Sequence, residues 1–268
     1  MPSLASDYSV LRKRLRRLLF HNKRPDRPEL HSVILPMLSE VGSLALIGGA
    51  IRDVALKGGE NFRSDLDFVM FDGDLPAFRS LMVSLKATPN RFGGYGLRFA
   101  RWKVDIWALE DTWAHTAGHK RVETISDLLD CTFFNWDAAI FNLEDHTLHT
   151  RKHYLSTLRK RVLEVNLLAN PNPKGSLVRA LRRGRLWNTY FGERLTEFTR
   201  AEIRRHSWDE LLTIETTAFR HSSLATFDYH QLLQNLDRPC WVDGQMVTKP
   251  FGSDPRQLEL DLKDRLDP

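Results

Sequence analysis

Leu44-Ala45-Leu46-Ile47-Gly48-Gly49-Ala50-Ile51-Arg52-Asp53 is an apolar run, a Gly-Gly turn and a helix start, and Asp65-Leu66-Asp67 follows twelve residues later. The order reads as strand, turn, short helix and second strand. Side chains alternate along a strand, so Asp65 and Asp67 are expected on one face and Leu66 in the core. At a rise of about 3.3 Å per residue, their Cα atoms lie roughly 6.5 Å apart. Two hard oxygen ligands spaced this way suit a divalent metal, and Mg²⁺ is commonly held by one or two carboxylates plus substrate phosphates. The glycine turn offers close backbone approach and N–H donors to a phosphate. Together these parts suit the transfer of a phosphoryl or nucleotidyl group.

Asp105 adds a third acid. It sits mid-strand in Trp102-Lys103-Val104-Asp105-Ile106-Trp107. With Val104 and Ile106 turned to the core, its carboxylate faces the other way, towards Asp65 and Asp67. Three acids on neighbouring strands suit a mechanism in which two metal ions, about 3.5–4 Å apart, stabilise an in-line displacement.

The chain has 268 residues, 42% apolar and 27% charged, within the range of globular proteins and long enough to bury a proper core. No apolar run approaches the roughly 18 residues of a membrane span. Cys131 and Cys240 have no metal-ligand spacing and fit reduced thiols, so a cytoplasmic location is expected. Net charge is +5 over residues 1–30, −5 over 31–150, +10 over 151–205 and −5 over 206–268. An acidic block between basic segments points to metal chemistry flanked by polyanion-binding surface.

The periodicity predicts an amphipathic helix over residues 7–20, a helix from Leu30 to Glu40 despite Pro36, a strand over Ser43–Ile47 and a helix over Ala50–Leu56. Further on it predicts a strand over Leu66–Phe71, a helix over 76–86, and a strand or hairpin over Leu97–Ala108. A short helix is expected over Val122–Leu129 and a strand or helix over Phe133–Leu143. After Asn170-Pro171-Asn172-Pro173 the chain turns helical and Arg-rich, and Asp243-Gly244 marks a hairpin. The expected organisation is a basic helix and linker (1–29), a catalytic head (30–155), a smaller helical part with a hairpin (156–250) and a charged tail (251–268). The fold class is α+β, a small mixed sheet flanked by helices and followed by a smaller, mostly α-helical domain.

Gly48-Gly49-Ala50-Ile51-Arg52-Asp53 with Ser64-Asp65-Leu66-Asp67-Phe68 resembles the head domain of the CCA-adding enzyme and bacterial poly(A) polymerase family, in the DNA polymerase β nucleotidyltransferase superfamily. The likeness covers about residues 30–150 and extends weakly into the Arg-rich Ser176–Arg185, which is similar to the start of the family's helical neck. It implies that Gly48 and Gly49 contact a triphosphate, that Arg52 binds phosphate or sugar, that Ser64 helps bind the nucleotide, and that Asp53 braces the turn. It also implies that Asp65, Asp67 and Asp105 hold two Mg²⁺ ions and that Asn135 helps hold the nucleotide, ATP or CTP. Arg179 and Arg182 in the neck are candidates for nucleotide phosphates or an RNA backbone. The chain departs from the family in two places. Leu129-Asp130-Cys131 stands where a paired arginine and an aspartate precede the asparagine, and the base-reading Glu-Asp-x-x-Arg is absent. Arg63, Arg98, Arg101, Lys103 or the neck arginines would then supply the positive charge for the triphosphate. A divergent, short relative is expected.

The expected activity is metal-dependent transfer of a nucleoside monophosphate from an NTP to a hydroxyl, with an RNA 3′ end, tRNA first, as acceptor and no membrane partner. Two alternatives remain: a toxin or phage-defence enzyme modifying tRNA, a protein or a small molecule, and an inactive head that binds RNA or nucleotide. Trp102 and Trp107 read as core or rim aromatics, and Tyr95 as a base-stacking candidate. Gln257-Leu258-Glu259-Leu260-Asp261-Leu262 resembles the peptide that docks bacterial replication proteins in the sliding clamp.

Overall fold

A computed structural model describes residues 4–21, 29–60, 62–100, 102–219 and 221–252. Arg101 and the Gln257–Leu262 hexamer lie outside the described residues. The described residues form two compact units that divide between Arg159 and Lys160.

The first unit contains α1 (Tyr8–Phe20), α2 (Leu35–Ser39), β1 (Ser43–Ile47), α3 (Gly49–Lys57), β2 (Leu66–Phe71), α4 (Leu75–Ser84), β3 (Thr88–Pro89), β4 (Tyr95–Phe99) and β5 (Trp102–Ala108). It continues with α5 (Trp113–Thr116), β6 (Ala139–Asn142), β7 (Leu148–Thr150) and α6 (Tyr154–Lys160). Its seven strands form one mixed sheet in the order β3-β4-β5-β2-β1-β6-β7. The β2–β5 pair is parallel and the other pairs are antiparallel. β1 is apolar without alternation because it lies between β2 and β6, and Leu44, Ala45 and Leu46 are all buried. β5 alternates instead, with Val104 and Ile106 fully buried and Asp105 only partly so.

One sheet face is divided along its length. Ala45, Val69 and Ile140 pack with Leu109, Val122, Ile125 and Leu128, and Trp107 joins them. On that same face, two residues earlier along β2 and β5, stand Asp67 and Asp105. The apolar half is covered by the 109–128 segment, and the carboxylates stand at the other end of the face.

α1 belongs to this unit. Leu11, Leu15, Leu18 and Leu19 are buried, and the helix packs on α3. Arg14 Nη1 donates to the carbonyls of Val54 and Ala55 at 3.4 and 3.2 Å, which satisfies the C-terminal end of α3. Asp7 caps α1 by accepting from the Val10 N–H at 2.9 Å.

Several predicted elements take a different form. The helix expected over Leu30–Glu40 is a π-helical turn, Leu30–Ile34, running into α2. Pro36 has no N–H to donate and sits in the first turn of α2, and the wider turn before it closes through the Leu35 N–H to the Leu30 carbonyl. The 122–129 segment becomes a 3₁₀ helix, Ile125–Asp130, fixed by a Thr124–Asp127 capping box. The 133–143 segment holds a 3₁₀ turn, Asn135–Asp137, and then β6. Residues 95–108 form the β4–β5 hairpin. Trp102 is buried, as a core aromatic. Tyr95 packs edge-to-face with Phe78, ring centres 5.8 Å apart.

The second unit contains β8 (Val162–Leu163), α7 (Pro173–Trp187), β9 (Tyr190–Phe191), α8 (Glu193–Ile203), α9 (Trp208–Phe219), α10 (Tyr229–Leu236), β10 (Pro239–Val242) and β11 (Gln245–Thr248). Its helices are joined by a small sheet in the order β10-β11-β9-β8. Asp243 and Gly244 turn the expected hairpin with φ of 50° and 75°, the positive values that a two-residue primed turn requires. No helix among the described residues is long and apolar enough to cross a membrane.

Candidate active site

The parallel register places Asp67 beside Asp105, with Ile47 opposite Asp67 and Gly96 opposite Asp105. Residues opposite one another share a face, so the two carboxylates stand together on neighbouring strands. Gly48 lies at the mouth of this pair, since a Cβ built there would be 3.8 Å from Asp67 Oδ2. Its φ of 75° and ψ of −135° are open to glycine and strained for other residues. The turn is held by the Gly48 N–H donating to the Ala139 carbonyl at 3.0 Å. α3 starts at once, so its first backbone N–H groups, which have no partner within the helix, lie next to the acids.

The electrostatics follow from this crowding. Burial and the negative charges of Asp105, Asp65 and Asp137 push the Asp67 carboxyl up to about 7. Burial, helped by Asp65, raises the Asp105 carboxyl too, while Lys103 and Arg98 oppose the shift. Asp65 lies one residue before β2 and is half exposed, and its carboxylate forms an ion pair with the Lys103 ammonium. Arg98 and Lys103 are opposite one another on β4 and β5. Both therefore belong to the same polar end of the sheet as the acids.

Beneath the turn is a second cluster. Arg52 is buried, with its Nε donating to Asp53 Oδ1 at 2.9 Å and its Nη1 pairing with Asp137. The Ser64 hydroxyl donates to the other oxygen of Asp53. This guanidinium folds back over the turn, so a Cβ at Gly49 would come within 3.2 Å of it. Arg52, expected to bind phosphate or sugar, here points at two carboxylates. Its donors are committed to Asp53 and Asp137, and it ties the glycine turn to the 135–137 turn. Ser64 is likewise engaged with Asp53. Asn135 opens the 3₁₀ turn whose last residue, Asp137, meets Arg52.

The neck arginines lie on α7, in the second unit. Arg182 binds the fully buried Glu215, the His221 carbonyl at 2.9 Å and the Ser223 hydroxyl at 3.3 Å. Glu215 also accepts from both serine hydroxyls, Ser222 and Ser223, and from the Ser223 and Leu224 N–H groups. Those bonds hold its carboxyl below its ordinary range against the cost of burial. Arg182, expected to bind nucleotide, is held by these partners inside its own unit. Arg179 donates to the Ser176 hydroxyl at 2.9 Å.

Sequence reasoning missed Asp137 and the Asp65–Lys103 pair. Asp137 falls in a turn without periodicity, so no pattern marked it as the partner of Arg52. Lys103, one of several candidates for positive charge near the triphosphate, lies two residues before Asp105 on the same face and so reaches Asp65. Asp130, at the site of the missing arginine pair, is neutralised by Lys120 and Arg151.

Among the described residues no group of three or more His, Cys, Asp or Glu side chains is arranged to hold a metal ion. This departs from the expected trio, because Asp65 is turned to Lys103. The donor chemistry still fits a hard divalent cation, since Asp67 and Asp105 are adjacent oxygen donors whose negative charges repel each other more than Lys103 offsets.

No protein-family model matches the sequence, and no curated protein matches it. Solved structures do. The Thermotoga maritima CCA-adding enzyme complexed with tRNA_CCA superposes with a TM-score of 0.51 at 16% identity, over 85% of this chain and 56% of that one. A CCA-adding enzyme in complex with CTP gives 0.50 at 17% identity, over 82% and 54%. The fold is that of a nucleotidyltransferase head. The chain spans little more than half the length of these two proteins.

Proposed function

We propose that the chain is a nucleotidyltransferase that moves a nucleoside monophosphate from an NTP, ATP or CTP, to the 3′ hydroxyl of an RNA, with tRNA as the leading acceptor. The observation that carries this reading is the in-register Asp67–Asp105 pair beside the Gly48 turn. The fold it shares with enzymes solved with tRNA and with CTP supports the same assignment. The acceptor oxygen bonds to the α-phosphorus, the α–β anhydride bond breaks, and pyrophosphate leaves. Asp67 and Asp105 would hold Mg²⁺, with Asp65 joining once Lys103 moves aside, and the ion would supply Lewis acidity and a more acidic hydroxyl. Asp105, assigned as the acid nearest the acceptor hydroxyl, would accept its proton at a carboxylate oxygen. The Gly48–Gly49 turn and the start of α3 receive the triphosphate. Arg52, Asp53 and Ser64 keep that turn in place, and Arg98 and Lys103 supply positive charge beside it.

A second reading, a nucleotide- or RNA-binding module without turnover, has the Asp65–Lys103 pair in its favour. One experiment separates the two. Protein incubated with Mg²⁺, α-labelled NTPs and tRNA should transfer label to the RNA, and Asp67→Asn should not. Binding without transfer in the wild type would favour the module.

A further inference from the structure

The exposed side of α1 forms one wall of a cleft of about 740 Å³, lined there by Arg12, Lys13, Arg16, Arg17 and His21. The other wall is the turn between β6 and β7, with Asp145 and His146. A second cleft of about 420 Å³ continues past Arg12 along Thr147–Thr150. We propose that this basic channel is a docking site for the phosphate backbone of single-stranded RNA, remote from the carboxylate pair.

Three observations support the proposal. First, the charge is one-sided. Four Lys/Arg side chains meet one acid in the larger cleft, and that acid, Asp145, is held below its ordinary range chiefly by the Thr147 N–H. Arg12 and Arg16, and Lys13 and Arg17, are four residues apart, about 6 Å along the helix at 1.5 Å per residue. Like charges at that spacing destabilise a helix. Among the described residues the one ion pair of this row is Arg17 with Glu60, at 3.7 Å and largely exposed.

Second, the cleft has a fixed floor. The His146 ring stacks on Phe141 at 6.1 Å and 9°, and lies 5.0 Å from the Phe20 ring. Third, the apolar side of α1 is not available to a lipid. Leu11, Leu15, Leu18 and Leu19 are buried in the fold, so this amphipathic helix cannot insert into a bilayer as an interfacial helix does. What it offers is a row of cations over a rigid concave surface, which suits a flexible polyanion.

The channel lies at the far end of α3 from the glycine turn, because Arg14 of α1 binds the last carbonyls of α3. The nine residues of α3 span about 13 Å at 1.5 Å per residue. The choice of RNA as occupant rests on the acceptor proposed above; the channel itself does not.

The test uses the full chain carrying Asp67→Asn, without Mg²⁺ or NTP, so that failure of transfer and failure of docking are read separately. Fluorescence anisotropy would follow binding of a labelled 12-nucleotide RNA and of a tRNA transcript from 50 to 300 mM salt. The Arg12→Ala, Lys13→Ala, Arg16→Ala variant should bind about tenfold more weakly or worse, with a salt slope smaller by about 2, from roughly 0.7 per phosphate contact on a single strand. A control that removes three cations elsewhere on the unit, Arg91→Ala, Arg121→Ala, Lys152→Ala, should keep most of the affinity and slope. Should the alanine variant lose helicity by circular dichroism, Arg12→Gln, Lys13→Gln, Arg16→Gln keeps long side chains and repeats the test. Equal losses in the groove and control variants would overturn the proposal. So would binding to phosphatidylserine vesicles that the groove variant abolishes while its RNA binding persists.

Discussion

Asp67 and Asp105 are opposite one another on adjacent parallel strands, and among the described residues neither carboxylate is ion-paired with a basic side chain, while Asp65 takes Lys103. Their mutual repulsion, added to burial, pushes the Asp67 carboxyl up to about 7. A polar pair that costs stability in the absence of a counter-ion is what a cation-dependent site would contain.

The cost should be visible as a pH dependence. The Asp67 carboxyl moves from an ordinary value of 3.8 to about 7 on folding. Between those values the folded protein holds a proton that the unfolded chain has lost, so this group makes stability fall as pH rises through that window. With chelator present, the Tm of the wild type should decline from about pH 4 to 7 relative to Asp67→Asn, whose profile should be flatter. Mg²⁺ at neutral pH should raise the Tm of the wild type more than that of the variant, since a ligand bound only by the folded state stabilises it. Parallel profiles for the two proteins would refute the assignment.

Lys103 controls the charge balance of the pair. It opposes the upward shift of both Asp67 and Asp105. Lys103→Met should move the acidic limb of the pH dependence of kcat/KM to higher pH, because both carboxyls then need a higher pH to ionise. Melting curves should change little, as the Asp65–Lys103 pair is about half exposed on each side.

Arg52 tests the bracing role of the buried cluster. Arg52→Ala leaves Asp53 and Asp137 without their shared cation in a poorly solvated site, and breaking such a pair costs about 3–5 kcal/mol. Urea denaturation should show a loss in that range, whereas a residue that merely touches phosphate would lose activity without stability.

Two glycines separate conformation from crowding. Gly48→Ala places a side chain at φ 75°, and strain of about 1–3 kcal/mol follows even though the nearest atom, Asp67 Oδ2, is 3.8 Å away. Gly96→Ala has no positive φ to adopt, but its Cβ would sit 3.2 Å from Asp105 Oδ1. The first variant should lose stability and transfer together. The second should keep its Tm and lose transfer by about tenfold, the scale expected when a reacting group is displaced by part of an ångström.

The local pattern already contained the strand–turn–helix of Leu44–Asp53, the acids Asp65, Asp67 and Asp105, and the Asp243-Gly244 hairpin. Each depends on spacing along the chain or on a backbone angle that glycine allows, and both are written in the order of residues. Tertiary structure alone decided which partners those side chains meet. Arg52 turned inward to Asp137, 85 residues away; Lys103 reached Asp65 from the neighbouring strand; Arg182 joined Glu215. A cation's partner is set by what folding brings within a few ångströms and by the cost of leaving it buried alone, and neither quantity can be read from a sequence interval.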